Sequence, residues 1–280
     1  MREIHVSEVT KAVRKLCIDA NYYLSDDIRE NLEKAYKQEK WNIAREILSK
    51  ILENADIAKN ENMPMCQDTG MTCVFVELGQ EVHIVGGSLV EAINEGIRQG
   101  YEDGFLRKSV VKDPLNRVNT GDNTPAVISS EIVLGDKLKI TISPKGFGSE
   151  NMSQLKMLKP SDGVEGVKNF IIQAVKEAGP NPCPPIILGV GIGGTFEKAA
   201  GIAKKSLLRP TNERNSNPFY AALEEELLEK INSLGIGPQG FGGRTTALAV
   251  NIETYPTHIA GLPVAVNISC HATRHAEIEL

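Results

Sequence analysis

The chain has 280 residues, 41% of them hydrophobic and 24% charged, with a formal net charge of -5. Those proportions suit one sizeable core or two fused lobes and exclude long disorder, and a negative balance without any basic block argues against general nucleic-acid binding. No apolar run approaches the roughly 18 residues a membrane span needs, and five widely and irregularly spaced cysteines do not make a secreted disulfide framework, so a cytoplasmic location without membrane attachment is expected.

The first sixty residues read as helices. Ser7 is placed to cap a segment carrying Val9, Val13 and Leu16, Asp27 with Glu30 makes a capping-box pattern around Ile28 and Leu32, and Trp41, Ala44, Leu48, Ile51 and Ala55 recur at helical spacing. From Thr72 the period changes. Residues 73–78 read as a strand and 87–98 as a helix, and 126–134 with 137–142, joined by Gly135-Asp136, read as a hairpin. A helix over 164–178 stops at Gly179-Pro180, a strand follows at 186–190, a helix spans about 220–234, and strands at 246–252 and 264–268 close the chain. The expected class is α+β. A helical region over about 1–60 precedes mixed, largely antiparallel sheets with packed helices over about 61–280, in one domain and with no visible internal repeat or linker.

Three cysteines stand in polar or Pro-punctuated turns: Cys66 in Met65-Cys66-Gln67-Asp68-Thr69-Gly70, Cys183 in Asn181-Pro182-Cys183-Pro184-Pro185, and Cys270 in Ser269-Cys270-His271. A turn presents a thiolate to a metal, whereas a helix face or strand interior buries it as a small apolar group. Cys17, on an apolar helical face, and Cys73, alternating with strand residues, belong to the second kind. Three thiolates fall one short of a closed structural zinc site and leave a metal position open to substrate or water. The Cys183-Pro184 step also resembles the Cys-Pro step beside ligands of iron-sulfur clusters. His271 or His275 could supply a fourth ligand, which keeps a zinc-binding regulatory or scaffold protein in play, and His258, bracketed by Pro256 and Pro263, is a candidate acid or base.

Two glycine-rich segments admit other readings. Lys145-Gly146-Phe147-Gly148-Ser149-Glu150-Asn151 follows a strand and could let bare backbone approach a small ligand, or could be a tight turn needing positive φ. Gly189-Val190-Gly191-Ile192-Gly193-Gly194 has the form of a dinucleotide fingerprint, the mark of a nicotinamide-dependent oxidoreductase. No clear βαβ crossover is visible after it, and close strand-helix packing accounts for its glycines.

Read together, the Cys66, Cys183 and Cys270 segments, Arg117-Val118-Asn119-Thr120-Gly121-Asp122-Asn123-Thr124-Pro125, residues 145–151 and Gly240-Phe241-Gly242-Gly243 resemble, in one consistent order, the iron-sulfur hydro-lyases. More narrowly, the set is similar to the α subunit of class I fumarate hydratase and L(+)-tartrate dehydratase. The resemblance implies a 4Fe-4S cluster held by Cys66, Cys183 and Cys270, with one iron lacking a protein ligand and acting as a Lewis acid on a small 2-hydroxy dicarboxylate. It matches Asp68 and His258 to proton handling, and Gln67, Arg107 and the backbone at Gly148 to substrate holding, where a guanidinium suits a carboxylate. It implies reversible hydration of fumarate to (S)-malate, with L(+)-tartrate dehydration to oxaloacetate as the alternative. The chain stops at Leu280, just beyond the third cysteine segment, whereas fused members of that family continue. The resemblance therefore implies a separate β subunit and a heterotetramer of two α and two β chains.

Overall fold

The computed structural model describes residues 2–280. In chain order the first half contains β1 (Arg2–His5), α1 (Val6–Tyr22), α2 (Asp26–Gln38), α3 (Asn42–Glu61), β2 (Met71–Gly79), β3 (Val82–Val85), α4 (Leu89–Asp103), β4 (Val127–Val133) and β5 (Leu138–Lys145). The single turn α5 (Phe147–Glu150) leads to β6 (Gln154–Leu158), α6 (Gly163–Ala178), β7 (Ile186–Gly193), α7 (Phe196–Ser206), α8 (Pro218–Asn232), β8 (Ala247–Tyr255), β9 (Leu262–Ser269) and β10 (Ala276–Glu279). The fold is α+β, as expected. Among the described residues no helix is long and apolar enough to cross a membrane.

The chain divides into two compact units. The first holds residues up to Leu24, Asn54–Phe147 and Arg274–Leu280; the second holds Ser25–Glu53 and Gly148–Thr273. In the first, a four-stranded sheet runs β10-β5-β2-β4, with β2 antiparallel to β5 and parallel to β4. Val74, Val76, Ile140 and Ile142 from this sheet share a buried core with Val9, Val13 and Leu16 of α1 and Ile93 and Ile97 of α4. Cys17 is completely buried in the same core, and burial pushes its thiol pKa up.

The hairpin expected from residues 126–142 does not form. β2 lies between β4 and β5, and α4 supplies the crossover that the parallel β2–β4 pair requires. The connection at Gly135 closes on the end of β2 instead: Gly79 N donates to Lys137 O (2.8 Å), Gln80 N to Val133 O (2.8 Å) and Glu81 N to Gly135 O (3.0 Å). Alternation identified both strands correctly, but local periodicity carries no information about a strand inserted from earlier in the chain.

Both expected N-caps are displaced. α1 begins at a capping box two residues earlier, where His5 Nδ1 accepts from Ser7 N (3.2 Å) and Glu8 accepts from His5 N (3.4 Å). The described residues also begin in β1, parallel to β3, ahead of α1. Asp27 does not cap its own helix; its carboxylate accepts from Thr211 N (2.7 Å) and Thr211 Oγ1 (2.8 Å). Burial alone would raise the Asp27 pKa, but hydrogen bonding to its carboxylate, including that from Thr211 N and Oγ1, outweighs it and leaves it lowered.

The second unit has a sheet in the order β6-β9-β7-β8, with β7 antiparallel to β9 and parallel to β8. α7 and α8 lie between β7 and β8 in the chain, so a parallel crossover does follow the glycine-rich segment, which sequence spacing did not show. The sheet packs its apolar face against Val167 and Ile171 of α6 and Leu223, Leu227 and Ile231 of α8. The order of pairings repeats that of the first unit. A central strand (β2 or β7) is followed by a helical crossover to a parallel neighbour (β4 or β8), and then by an antiparallel strand (β5 or β9) on its other side. This repeat resides in topology, and the side chains do not spell it out.

The glycines of β7 are packing residues. A Cβ at Gly189 would lie 2.0 Å from Ala203 O, and one at Gly191 would lie 2.1 Å from Ala199 O, so α7 rests on bare strand backbone. All of Ile186–Gly193 is buried strand, which leaves no loop to cradle a dinucleotide. Gly191→Ala is therefore expected to force α7 off the sheet and to destabilise the protein by about 3 kcal/mol or more. Thermal unfolding measures this, and an unchanged melting temperature would contradict the packing assignment.

Candidate functional site

Each of the three cysteine loops sits at the terminus of a central strand or of its antiparallel neighbour. Cys66 precedes β2, Cys183 precedes β7, and Cys270 follows β9 directly. None of the five cysteines is in a disulfide; Cys183 is exposed and Cys66 and Cys270 are half-buried, whereas Cys17 and Cys73 are buried. The five thiols therefore separate as the sequence predicted.

In the first unit the Cys66 loop is fixed on both sides. Met65 N donates to Asn21 O (3.0 Å), and Met65 O accepts from Asn54 Nδ2 (2.8 Å). Cys66 Sγ lies 3.8 Å from Gln67 Oε1. Asp68 is gripped by backbone donors: Oδ1 accepts from Gly70 N (3.0 Å) and Oδ2 from Phe147 N (2.9 Å). A Cβ at Gly146 would stand 3.2 Å from Asp68 Oδ2, so this glycine permits the approach of the carboxylate. Neither Gly146 nor Gly148 has a positive φ, and the tight-turn reading of that segment falls away. Gly148 itself is exposed.

Below the loop, the buried Tyr101 hydroxyl lies 2.7 Å from Thr69 O and 3.1 Å from Gly70 O and accepts from Thr72 Oγ1 (3.2 Å). Burial raises its pKa, so it stays a phenol and can donate. The Asn119–Pro125 motif does related work. Buried Asn123 donates from Nδ2 to Gly70 O (3.2 Å) while its Oδ1 accepts from Ser109 N (2.7 Å), and Asn119 Nδ2 donates to Lys108 O (2.9 Å). With Thr69 Oγ1 donating to Arg107 O (3.1 Å), these bonds tie the Arg107 segment to the Asp68 loop and leave the Arg107 side chain exposed. Phe105 is held at φ 50, in the left-handed region, with its ring 88% exposed. A bulky residue held there carries strain of order 1–3 kcal/mol, a feature that concentrates at functional segments.

Sequence reasoning missed Arg274. It is 3% exposed, donates from Nη2 to Asp68 O, and leaves Nε and Nη1 buried without a partner among the described residues. An uncompensated buried guanidinium costs several kcal/mol, so an anion belongs beside it. The available signal was a single arginine four residues after Cys270, a position that only the fold reveals as buried.

In the second unit Cys183 and Cys270 are brought together. Cys183 O accepts from His271 N (3.4 Å) and lies 3.0 Å from His271 Nδ1. Gln239, in the loop of the Gly240–Gly243 motif, holds the other side: its N and Nε2 both donate to Pro184 O (2.7 and 3.0 Å), and its Nε2 lies 3.2 Å from His271 Nδ1. Cys183 itself has φ 55, an unusual and strained backbone for cysteine that turns this residue out of its loop.

His258 is elsewhere. It lies between the end of β8 and the start of β9, where Gly193 pairs with Tyr255, whereas Cys183 and Cys270 flank the Ile187–Ser269 end of the same strands. The two ends are separated by roughly 20 Å at about 3.3 Å per residue. His258 is exposed beside an apolar cavity of about 350 Å³ lined by Val164, Phe219, Ile259 and Leu262, and its Nδ1 accepts from Ala260 N (3.2 Å).

Among the described residues no group of three or more Cys, His, Asp or Glu side chains is gathered as a preformed metal site. The donor chemistry nevertheless suits an anionic iron-sulfur group. Three accessible thiols are available, two of them on loops bonded to each other, and a buried arginine lacks its counter-charge.

Comparison with known proteins gives a consistent picture. The model of the family described as fumarate hydratase (Fumerase) matches residues 10–279. A protein of Methanocaldococcus jannaschii, provisionally named L(+)-tartrate dehydratase subunit alpha, is 46% identical over 275 residues, covering 96% of each chain. The L(+)-tartrate dehydratase subunit alpha of Escherichia coli strain K12 is 32% identical over 277 residues, covering 98% of this chain and 91% of its own.

Proposed function

Because the chain belongs to the fumarate hydratase family of hydro-lyases, we propose that it is the cluster-holding α subunit of a two-subunit enzyme that adds water to, or removes it from, a small dicarboxylate. The observation that carries this reading is the separation of the cysteines: three accessible thiols on loops at strand termini and two sealed in cores. Cys66, Cys183 and Cys270 would hold a 4Fe-4S group, whose chemistry when bound is that of a Lewis acid toward a carboxylate and a hydroxyl.

The chain's own residues divide the remaining work. Asp68, fixed by Gly70 N and Phe147 N, is oriented for proton transfer at its carboxylate, two residues from the Cys66 thiol. Gln67 and the exposed Arg107 supply an amide and a planar cation to a substrate carboxylate, and the exposed backbone at Gly148 lets substrate approach without a side chain in the way. Arg274 holds the Asp68 backbone and offers positive charge to an anionic group. His258 faces the opposite end of its sheet, so its role in proton transfer requires a site completed by another chain.

Fumarate and (S)-malate are the first substrate reading. L(+)-tartrate is the second, favoured by the names of the relatives from M. jannaschii and E. coli. A β-type chain supplies the rest of the pocket in this proposal, since relatives of nearly the same length are named as α subunits. The test is to assay the chain, prepared anaerobically with iron and sulfide, alone and with its β-type partner, on fumarate, malate and both tartrate enantiomers. Turnover of at least one of these only in the pair is expected, and full activity of the α chain alone would overturn the two-subunit reading.

A further inference from the structure

We infer that Glu39, at the junction of α2 and α3, is a positioning residue for the cluster: its carboxylate holds the Gly240–Gly243 loop in the conformation from which Gln239 fixes the Cys183 and Cys270 loops. The inference deepens the iron-sulfur reading above and rests on it. It also assigns a task to the glycine-rich motif, which takes no part in the proton transfers or substrate contacts.

Glu39 is a carboxylate in the interior. It is 4% exposed and has no cationic partner among the described residues, so its burial is offset by backbone donors. Oε1 accepts from Lys40 N (2.9 Å) and Trp41 N (2.9 Å), and Oε2 accepts from Arg244 N (2.7 Å). The first two bonds shape the turn between the helices. The third joins positions 205 apart in the chain, and a turn alone has no need of it.

The loop is built to meet that carboxylate at one end and the cysteine loops at the other. Gly243 has φ 107, and a Cβ there would stand 2.6 Å from Ala44 Cβ and 2.9 Å from Glu39 Oε2, so glycine is what lets Arg244 N reach the carboxylate. Gly240 lies against the Cys183 loop, where a Cβ would stand 2.4 Å from Pro180 Cβ. Beside it Gln239 is held at φ 53, in the left-handed region that a long side chain rarely adopts. From there its N and Nε2 both donate to Pro184 O, and Nε2 lies 3.2 Å from His271 Nδ1. Pro184 follows Cys183, and His271 follows Cys270. A strained residue keeps its conformation only where its surroundings over-determine it. Gly237 N to Thr246 Oγ1 (3.1 Å) and Gly242 N to Ile236 O (2.9 Å) fix the loop from within, and Glu39 fixes it from a distant part of the chain.

The experiment compares the full wild-type chain with Glu39→Gln, Glu39→Ala and Gln239→Ala, each prepared anaerobically with iron and sulfide. Gly163→Ala is the control for lost stability: Gly163 has φ 55 and open space at its Cβ position, so the substitution strains the backbone outside both cysteine loops. Loss of iron to EDTA should be about 10- to 100-fold faster in Glu39→Gln and Gln239→Ala, the range that groups orienting metal ligands contribute. Glu39→Ala, which keeps no acceptor, should lose iron faster still, and Gly163→Ala should match wild type. The visible circular dichroism of the cluster should change in the first three variants and not in the control, because it reports how the cysteines hold the iron. The cluster-free chain gives an independent readout, in which amide exchange over residues 183–186 and 270–273 should accelerate in those three variants while exchange over 65–70 stays as in wild type. A wild type that holds about four iron and four sulfide, with variants that match the control in iron loss, dichroism and exchange, overturns this inference alone. A wild type that binds neither iron nor sulfide overturns the cluster reading, and the role of Glu39 with it.

Discussion

Serine at Cys66, Cys183 or Cys270, introduced one at a time, is expected to remove most of the bound iron and acid-labile sulfide and with them the brown absorption, while Cys17→Ser and Cys73→Ser keep both. The thiolate is the ligating form, and a serine hydroxyl does not ionise near neutral pH to replace it. The three loop positions are accessible, so their substitution costs little folding stability. The two controls behave oppositely. Cys17 is fully buried among Val13, Leu16 and Tyr101, and Cys17→Ser places a hydroxyl in that apolar core at a cost of roughly 1–3 kcal/mol. It should lower the melting temperature and retain the cluster. This crossed pattern, cluster loss without destabilisation against destabilisation without cluster loss, distinguishes ligation from packing.

The second large effect is expected at Asp68. Asp68→Asn should lower kcat about 10²- to 10⁴-fold, the range that a positioned acid or base contributes, with iron and sulfide content unchanged. The carboxylate makes two backbone hydrogen bonds, to Gly70 N and Phe147 N. Asparagine keeps one acceptor oxygen and turns an amide N–H₂ toward the other donor, which costs about 1–3 kcal/mol of local stability. A modest fall in melting temperature therefore accompanies the kinetic loss. If kcat falls by less than tenfold while the cluster remains, the proton-handling role belongs to another residue.

The chemistry of this chain was more legible than its topology. Residue type and local punctuation separated Cys66, Cys183 and Cys270 from Cys17 and Cys73, because proline and polar neighbours record whether a position lies in a turn. The helices over 42–61, 163–178 and 218–232 and the strands β2, β7, β8 and β9 were visible from periodicity and breakers, with their ends displaced by a few residues. Pairing was not visible. β4 and β5 looked like a hairpin because nothing between residues 126 and 142 shows that β2 comes between them. The glycines of β7 suggested either a ligand loop or a packing surface, and the approach of Ala199 O and Ala203 O decided for packing. Arg274 was silent in the sequence because its importance lies in burial and missing counter-charge, which are properties of its surroundings. His258 shows the limit from the other side: its spacing before Cys270 suggested one site, and the strand register puts the two residues at opposite ends of a sheet.

The most direct test of the central claim is the iron and acid-labile sulfide content of the anaerobically prepared wild-type chain, measured beside Cys183→Ser. The account predicts about four of each per wild-type chain, the stoichiometry of a 4Fe-4S group, and little of either in the variant. A colourless wild-type protein with one zinc per chain and no labile sulfide would contradict it and return the three cysteines to a structural metal site.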